Sequence, residues 1–265
     1  MIIGKRLLVL VIVFIFFILP HIQITKPLNG IMLQRALGQE DLGHLQNLNN
    51  SDLLAQLIVM PDQLTNRTEL IKMVERINRI DRPILQLLVN QKVKVRLFEG
   101  KLTDEPLLYY LRWDKPRGWK SDVTWADVPG SGGGWLISAK IGASMPGSGH
   151  GSINLELHEI GHTVYKLLMT SPNYALAIQE MWNTEVNNMF DGKAYFIDYP
   201  SEYFSEMFAY YYFTNQSNQE MMEKAPKTYQ FFNSLKLLKR QKIENNFYSM
   251  DWKGRSIWLQ GNKPI

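Results

Sequence analysis

The sequence contains no cysteine, and only five of its 265 residues are histidines. Without thiols the chain cannot form disulfides, use a cysteine nucleophile, or bind zinc or an iron–sulfur cluster through thiolates. A metal site in this protein would have to be built from histidine, carboxylate or water. The lack of disulfides does not exclude export, because a domain of this length can bury a sufficient core without them.

The sequence also has no large excess of charge of one sign. Its 29 Lys and Arg against 25 Asp and Glu leave a net charge of +4, and no basic run stands out beyond Lys239, Arg240 and Lys242. These features argue against a nucleic-acid partner. A hydrophobic content of 45% with 20% charged residues is typical of a globular protein.

An apolar run near the N-terminus, residues 7–19, follows Lys5 and Arg6 and ends before Pro20. A basic flank and a short apolar stretch are the first two regions of a signal peptide, and 13 residues are short for a membrane span. No small residues follow at the place where a signal peptidase would cut. Residues 1–25 are therefore predicted to be a signal peptide or an uncleaved N-terminal anchor, which would be the only contact with a membrane. The protein is expected to be secreted or held on the outer face of the cell membrane.

The remaining chain divides by composition. Residues 26–50 are polar and weakly patterned and predict a linker, residues 51–239 predict the folded domain, and residues 240–265 form a C-terminal extension. The predicted elements are a strand at Leu54 to Met60, a helix over Glu69 to Gln91 that Pro83 kinks or restarts, a half-exposed strand at 93–97, a short helix at Asp104 to Leu111, and a strand at Trp135 to Ile141. Everything after Ile153 has a helical pattern. This organisation predicts an α+β fold, with a small mixed sheet and helices followed by a helical subdomain.

The chemistry is concentrated in a His-x-x-x-His pair with an acid between, formed by His158, Glu159 and His162. The surrounding apolar residues fit a largely buried helix, on which residues four apart share one face. Two imidazoles on that face can converge on a zinc ion, and Glu159 can reach a water bound there. The alternative is a pair of hydrogen-bonded structural histidines.

A third ligand is not a downstream histidine, because none follows His162. His150 lies in a glycine-rich loop that could approach the site, although a loop hydrogen-bonding role is favoured. Glu202 and Glu206 are better candidates, since they lie four residues apart in a helix otherwise rich in aromatic residues. Carboxylates in so apolar a helix need partners, and a cation satisfies that need. A solvated stripe on an amphipathic helix is the alternative.

Several segments in one order carry a family resemblance. They are Gly100–Asp104, Gly118-Trp119, Thr124–Gly130, Ile153–Glu159, Tyr195 seven residues before Glu202, and Ala225–Phe232. Together they resemble the catalytic domain of anthrax lethal factor and, more closely, the secreted Pro-Pro endopeptidases of Gram-positive bacteria. The resemblance extends from about Leu53 to Leu238.

The resemblance implies a gluzincin-like zinc metalloprotease with one Zn2+ per chain. The implied roles are zinc ligands for His158, His162 and Glu202, general base for Glu159, transition-state hydrogen-bond donor for Tyr195, and support of a ligating histidine for Glu206. The alternative for Tyr195 is a core aromatic residue. A catalytically degenerate binding module is the alternative for the whole domain.

The resemblance also implies a proline-rich peptide or surface-protein substrate cut between two prolines. The residues expected at the substrate are Trp119, Gly132, Gly133, Gly134 and Trp135, with the strand from Leu136 to Ile141 offering backbone groups to an extended peptide. Glycines permit close approach of a backbone, and tryptophans can stack on proline rings. The alternatives are a protease of broader specificity, with both tryptophans in the core, or a lethal factor-like toxin that cuts host signalling proteins.

We expect cell fractionation to recover the domain in the medium or on the outer face of the membrane, because residues 1–25 are predicted to direct export. Immunoblotting of medium, membrane and cytosolic fractions, alongside a cytosolic marker, measures this distribution. Recovery of the full-length chain in the cytosol would contradict the prediction.

Overall fold

The computed structural model describes residues 28–116 and 122–238. The strands are β1 (Ile31–Met32), β2 (Ile58–Met60), β3 (Lys94–Phe98), β4 (Gly130–Ser131) and β5 (Leu136–Lys140). The helices are α1 (Leu33–Ala36), α2 (Ser51–Leu57), α3 (Arg67–Asn78), α4 (Arg82–Asn90), α5 (Leu155–Leu168), α6 (Pro172–Phe190), α7 (Ala194–Asp198), α8 (Pro200–Phe213), α9 (Asn215–Lys224) and α10 (Pro226–Ser234). Short 3-10 helices span Glu40–Asn47, Leu102–Asp104, Tyr109–Leu111 and Leu235–Leu237.

Three of the sequence-based predictions lie outside the described residues. They are the signal peptide or anchor at 1–25, the substrate contact by Trp119 and the C-terminal extension at 240–265. Among the helices that are described, none is long and apolar enough to cross a membrane.

The five strands form one sheet in the order β1-β2-β3-β5-β4. The inner pairs β2–β3 and β3–β5 are parallel, whereas β1 and β4 run antiparallel to their neighbours at the two edges. The α+β class with a small mixed sheet is therefore confirmed. In the described chain beyond Ile153, helices follow one another without a further strand, as the pattern predicts.

The sheet begins earlier than expected. The predicted linker is wrong for residues 28–50, because this segment supplies β1, α1 and a 3-10 helix whose apolar side chains enter the main core. Leu33, Ala36, Leu42 and Leu45 are each at most 1% exposed. These apolar residues are spaced irregularly among Gln and Gly, so no periodic pattern marked them.

Two further elements differ in extent or type. The predicted strand at 54–60 is helix α2 through Leu57, with only Ile58–Met60 extended. A fully buried apolar run has no period that separates helix from strand. The predicted helix at 104–111 is replaced by two 3-10 turns, whereas Pro83 does start a new helix, since it lies at the first turn of α4.

Strand β3 is buried on both faces, in contrast to the half-exposed strand predicted. Arg96 is only 2% exposed, and its guanidinium donates two hydrogen bonds to Glu105, at 3.0 Å and 2.9 Å. A third donation goes from Arg96 to the carbonyl of Leu97 at 2.7 Å. Arg96 can therefore be buried despite its charge, because it is paired with Glu105 and all three of its nitrogens donate a hydrogen bond.

The Arg96–Glu105 pair ties the segment after β3 to the sheet. Beyond it lies a second hydrophobic cluster, separate from the main core, which is formed by Phe98, Leu102, Leu108, Leu111 and Trp125. This small cluster supports the chain that leads back to β4. The main core lies between the sheet and the helices, with α5 and α8 at its centre.

Replacing Arg96 with Met should lower the free energy of unfolding by about 3–5 kcal/mol, because it leaves the Glu105 carboxylate buried without its partner. Denaturant titration of the full chain measures this change. The matched control is Arg82→Gln, which breaks the exposed pair with Asp52 and should leave the unfolding midpoint nearly unchanged. Equal losses in the two variants would contradict the prediction.

Candidate active site

Helix α5 carries the His-Glu-x-x-His motif through the centre of the molecule. Asn154 caps its first turn, since the side-chain oxygen accepts a hydrogen bond from Leu157 N at 3.1 Å. Eleven of the fourteen residues of α5 are buried. The motif is therefore held on a rigid, desolvated helix.

Gly161 allows α5 to pack closely against α8. A Cβ atom at this position would lie 2.8 Å from the Cα of Ser205 and 3.1 Å from the Cβ of Phe208. The two helix backbones can meet at this distance only because residue 161 has no side chain. Their contact places Glu202 and Glu206 of α8 beside the histidines of α5.

The side chains of His158, His162 and Glu202 converge, and all three are buried. The Nε2 atoms of the two histidines are 3.1 Å apart, and Glu202 Oε2 lies 3.3 Å from the first and 3.4 Å from the second. Ligands held at about 2.0–2.1 Å from a tetrahedral zinc ion are about 3.3–3.4 Å apart. Glu202 Oε2 has no hydrogen-bond partner within the described part of the chain. Both observations fit a group of three metal ligands.

Glu206 orients His158. Its Oε2 atom lies 2.9 Å from His158 Nδ1, and its Oε1 atom accepts a hydrogen bond from Ile153 N at 2.8 Å. Because the Nδ1–H of His158 donates to this carboxylate, Nε2 faces the convergence point. Glu206 also anchors Ile153, the residue before the N-cap of α5.

The electrostatics of the site favour a positive charge between the three side chains. Burial alone would lower the pKa of His158, but Glu202 and Glu206 outweigh it and raise that pKa to about 10. Burial would raise the pKa of Glu202, yet the two histidines hold it well below its usual range. Two buried carboxylates thus face two imidazoles, a donor set that suits a divalent cation.

Glu159 packs against a second glycine-rich loop, which runs from Gly130 to Gly134. A Cβ atom on Gly130 would be 2.7 Å from Glu159 Oε1, and one on Gly132 would overlap the backbone carbonyl oxygen of Glu159. Gly133, at φ +83°, donates its N–H to Thr163 Oγ1 at 3.1 Å. Burial raises the pKa of Glu159, which His158 and His162 partly counteract. The loop therefore closes one side of this carboxylate with backbone alone.

A cavity of about 490 Å3 opens over the three converging side chains. Glu159, Glu206, Tyr195 and Gly132 also line it. Tyr195 is 38% exposed, so it is a cavity residue and not the core aromatic considered as the alternative. One wall is apolar and contains Pro116, Trp125, Val128 and Pro129.

Not every residue expected at the substrate lines this cavity. Gly133, Gly134 and Trp135 are not among the described residues that form its walls. The hydroxyl of Thr163 on α5 instead accepts a hydrogen bond from Gly133 N and donates one to the Gly134 carbonyl. The glycines were expected to clear space for a peptide, but Gly130 and Gly132 clear space for the motif helix itself.

The strand expected to pair with a peptide, Leu136 to Ile141, is not at the edge of the sheet. Strand β5 has β3 on one side and β4 on the other, with Gly130 opposite Ala139 and Ser131 opposite Ser138. The edge strand on this side of the sheet is β4, and both of its residues line the cavity.

Sequence reasoning did not single out the cavity residues Pro116, Trp125, Val128 and Pro129. His150 forms part of the cavity wall while its Nε2 bonds the Ala143 carbonyl at 2.7 Å, in agreement with the favoured loop role. Glu185, a lone acid in the Asn-rich part of α6, is 4% exposed and accepts hydrogen bonds from Lys227 N and Thr228 N at the start of α10. A single acid in an Asn-rich helix carries no signal of such a partner.

Known proteins resemble this chain in both sequence and fold. Residues 44–235 match the family described as Anthrax toxin lethal factor, N- and C-terminal domain. A Pro-Pro endopeptidase of Clostridioides difficile (strain 630) is 36% identical over 188 residues, which cover 70% of this chain and 84% of that protein. A second, from Paenibacillus alvei, is 34% identical over 184 residues, covering 69% and 84%. The solved structure of the Pro-Pro endopeptidase PPEP-2 from Paenibacillus alvei matches with a TM-score of 0.65 at 34% identity, covering 69% of this chain and 99% of that one.

The fold and the site together define a metalloendopeptidase. The three buried donors, the adjacent acid and the open cavity are the parts that this class requires. With this extent of matching sequence, the chain belongs to the Pro-Pro endopeptidases of the anthrax lethal factor-like family.

Changing Gly132 to Ala should lower both stability and peptidase activity, because the added methyl group overlaps the backbone of Glu159 and α5 or the loop must move. Overpacking of this kind costs about 1–3 kcal/mol. Thermal unfolding and hydrolysis of a peptide substrate measure the two effects. Gly43→Ala is the control, since no atom lies within 4 Å of the added methyl group. Wild-type behaviour of both variants would argue against the close contact.

Proposed function

We propose that this protein is a zinc-dependent endopeptidase that hydrolyses the bond between two prolines in extracellular or surface proteins. The observation that carries the proposal is the triangle formed by His158 Nε2, His162 Nε2 and Glu202 Oε2, with sides of 3.1 Å, 3.3 Å and 3.4 Å. The names of the two relatives support the choice of bond.

His158, His162 and Glu202 would hold one Zn2+, which when bound supplies Lewis acidity toward a water molecule and a carbonyl group. Two neutral imidazoles and one carboxylate bind zinc in preference to calcium or magnesium, which take oxygen ligands. Glu206 keeps His158 in the tautomer that leaves Nε2 free to bind the metal.

Glu159 would act as general base and then as general acid. Its carboxylate takes a proton from the attacking water and returns it to the proline nitrogen, which leaves as a secondary amine. The Gly130 to Gly132 backbone restricts the carboxylate to one side of the cavity. A base held in place by packing does not have to be oriented in each reaction cycle.

Tyr195 would donate a hydrogen bond to the carbonyl oxygen of the scissile bond as negative charge develops there. Its side chain lies at the cavity, together with Glu159 and Glu202. A donor directed at this oxygen stabilises the transition state more than the ground state.

The apolar wall suits proline on the substrate. Trp125 and Val128 belong to it, beside Pro116 and Pro129, and none of these four side chains carries a charge. A proline nitrogen has no hydrogen to donate, so a cleft that receives two prolines gains more from ring contacts than from backbone pairing. Edge strand β4 can pair with residues that flank the prolines.

Export completes the proposal. It is supported by Lys5, Arg6 and the apolar run at 7–19. An exposed proline-rich segment of a surface protein would then be within reach of the cavity.

Substituting Glu159 with Gln should reduce hydrolysis by about 10²- to 10⁴-fold while one zinc per chain remains bound, because the residue moves protons and does not hold the metal. Glu202→Ala should lose zinc during dialysis, since it removes one of three ligands. Metal analysis by mass spectrometry and peptide hydrolysis are measured on the same samples.

The matched control for Glu202 is Glu180→Ala, because Glu180 is an exposed acid whose side chain pairs with Lys227. It should bind zinc and cut peptides as the unmutated protein does. Loss of zinc from the Glu159 variant, or equal zinc affinity in the Glu202 and Glu180 variants, would overturn the assigned roles.

Peptides that carry Pro-Pro, Pro-Ala or Ala-Pro at one position should separate the proposed specificity from broad cleavage. We expect kcat/KM for Pro-Pro to exceed the other two by at least about tenfold, since each lost ring removes apolar contact with the wall. Mass spectrometry of the products locates the cut. Comparable rates on all three peptides would favour a protease of broad specificity.

A further inference from the structure

The turn that carries Tyr195 has little of its own to hold it. Helix α7 spans only Ala194–Asp198, and none of its residues is buried. A helix of five residues is not stable by itself in water. A catalytic donor on this turn therefore depends on contacts made by neighbouring elements.

One of these contacts compensates for a proline. In a continuous helix the carbonyl of Phe196 would accept from the N–H of residue 200, but residue 200 is a proline and has no N–H. The indole Nε1–H of Trp182, on α6, donates to the Phe196 carbonyl at 3.0 Å instead. Trp182 thus satisfies a backbone acceptor directly next to Tyr195.

The ring of Phe196 is fixed to the same helix. It stacks on Phe190 of α6 with a centroid distance of 4.1 Å and an interplanar angle of 26°. Tyr195 packs edge-to-face against Phe196 at 5.6 Å and lies 5.9 Å from Tyr199. Phe196, which α6 holds in place, is therefore one of the supports of the Tyr195 ring.

We propose that Trp182 is a positioning residue for peptide hydrolysis, holding the Tyr195 turn at the cavity through its hydrogen bond to Phe196. This inference rests on the proposed role of Tyr195 as the donor to the scissile carbonyl. A donor displaced by a fraction of an ångström loses much of its effect on the transition state while contributing little to substrate affinity. Trp182 itself is absent from the cavity lining formed by the described residues.

The test is a double-mutant cycle with Trp182→Phe and Tyr195→Phe in the zinc-loaded full chain. Trp182→Phe removes the N–H and keeps an aromatic ring, and it should lower kcat about tenfold with KM and zinc content nearly unchanged. In the Tyr195→Phe background the same change should alter kcat less than about twofold. Tyr212→Phe is the control, because it removes a 2.9 Å hydrogen bond to Asp81 away from the cavity. This control should leave kcat as it is.

Amide hydrogen exchange gives a readout that does not depend on activity. Exchange at residues 194–198 should be faster in Trp182→Phe than in the unmutated protein, with α5 unaffected. Phe196→Leu, which removes the stacking on Phe190, should have the same effect. Unchanged exchange at 194–198, or equal reductions of kcat by Trp182→Phe in both backgrounds, would overturn the proposal. Absence of Pro-Pro cleavage by the unmutated protein would count against the proposed function instead.

Discussion

The site depends on the contact between α5 and α8, two buried helices that meet at Gly161. Neither helix holds the three converging ligands alone, since the histidines belong to α5 and the carboxylates to α8. Burying Glu202 and Glu206 would be costly without partners, and both are compensated by imidazoles, with Ile153 N as an additional donor. The charges that make the site chemically useful thus also stabilise the packing of the two helices against each other.

The site residues that have helical spacing, or that are unusual in their surroundings, could be predicted from the sequence. His158 and His162 are brought together by helical spacing alone, and Glu202 and Glu206 stand out because acids in an aromatic-rich helix need a cation. Contacts that join distant segments could not be predicted in this way. The pairing of Arg96 with Glu105 reverses the exposure that the alternating pattern of β3 predicts, because a bidentate partner makes burial of the charge tolerable.

The loop from Gly130 to Gly134 shows a different limit of prediction from the sequence. Glycine signals that another group comes close, but it does not say which group. At Gly130 and Gly132 the neighbour is Glu159 of α5, so these residues serve the motif helix before they serve a peptide. The region before Ser51 shows the same limit for burial, because Leu33 and Leu45 enter the core from a segment with no regular period.

The division of the hydrophobic residues into two clusters has a consequence for how this enzyme class can diversify. The metal-binding helices belong to the main core, whereas Trp125 on the cavity wall belongs to the small cluster around Phe98 and Leu111. A change of side-chain volume at Trp125 or Val128 can therefore be accommodated by repacking a few neighbours in that small cluster. The wall proposed to receive the peptide and the proposed metal ligands thus rest on different hydrophobic clusters, so a substitution behind the wall need not disturb the packing of α5 against α8.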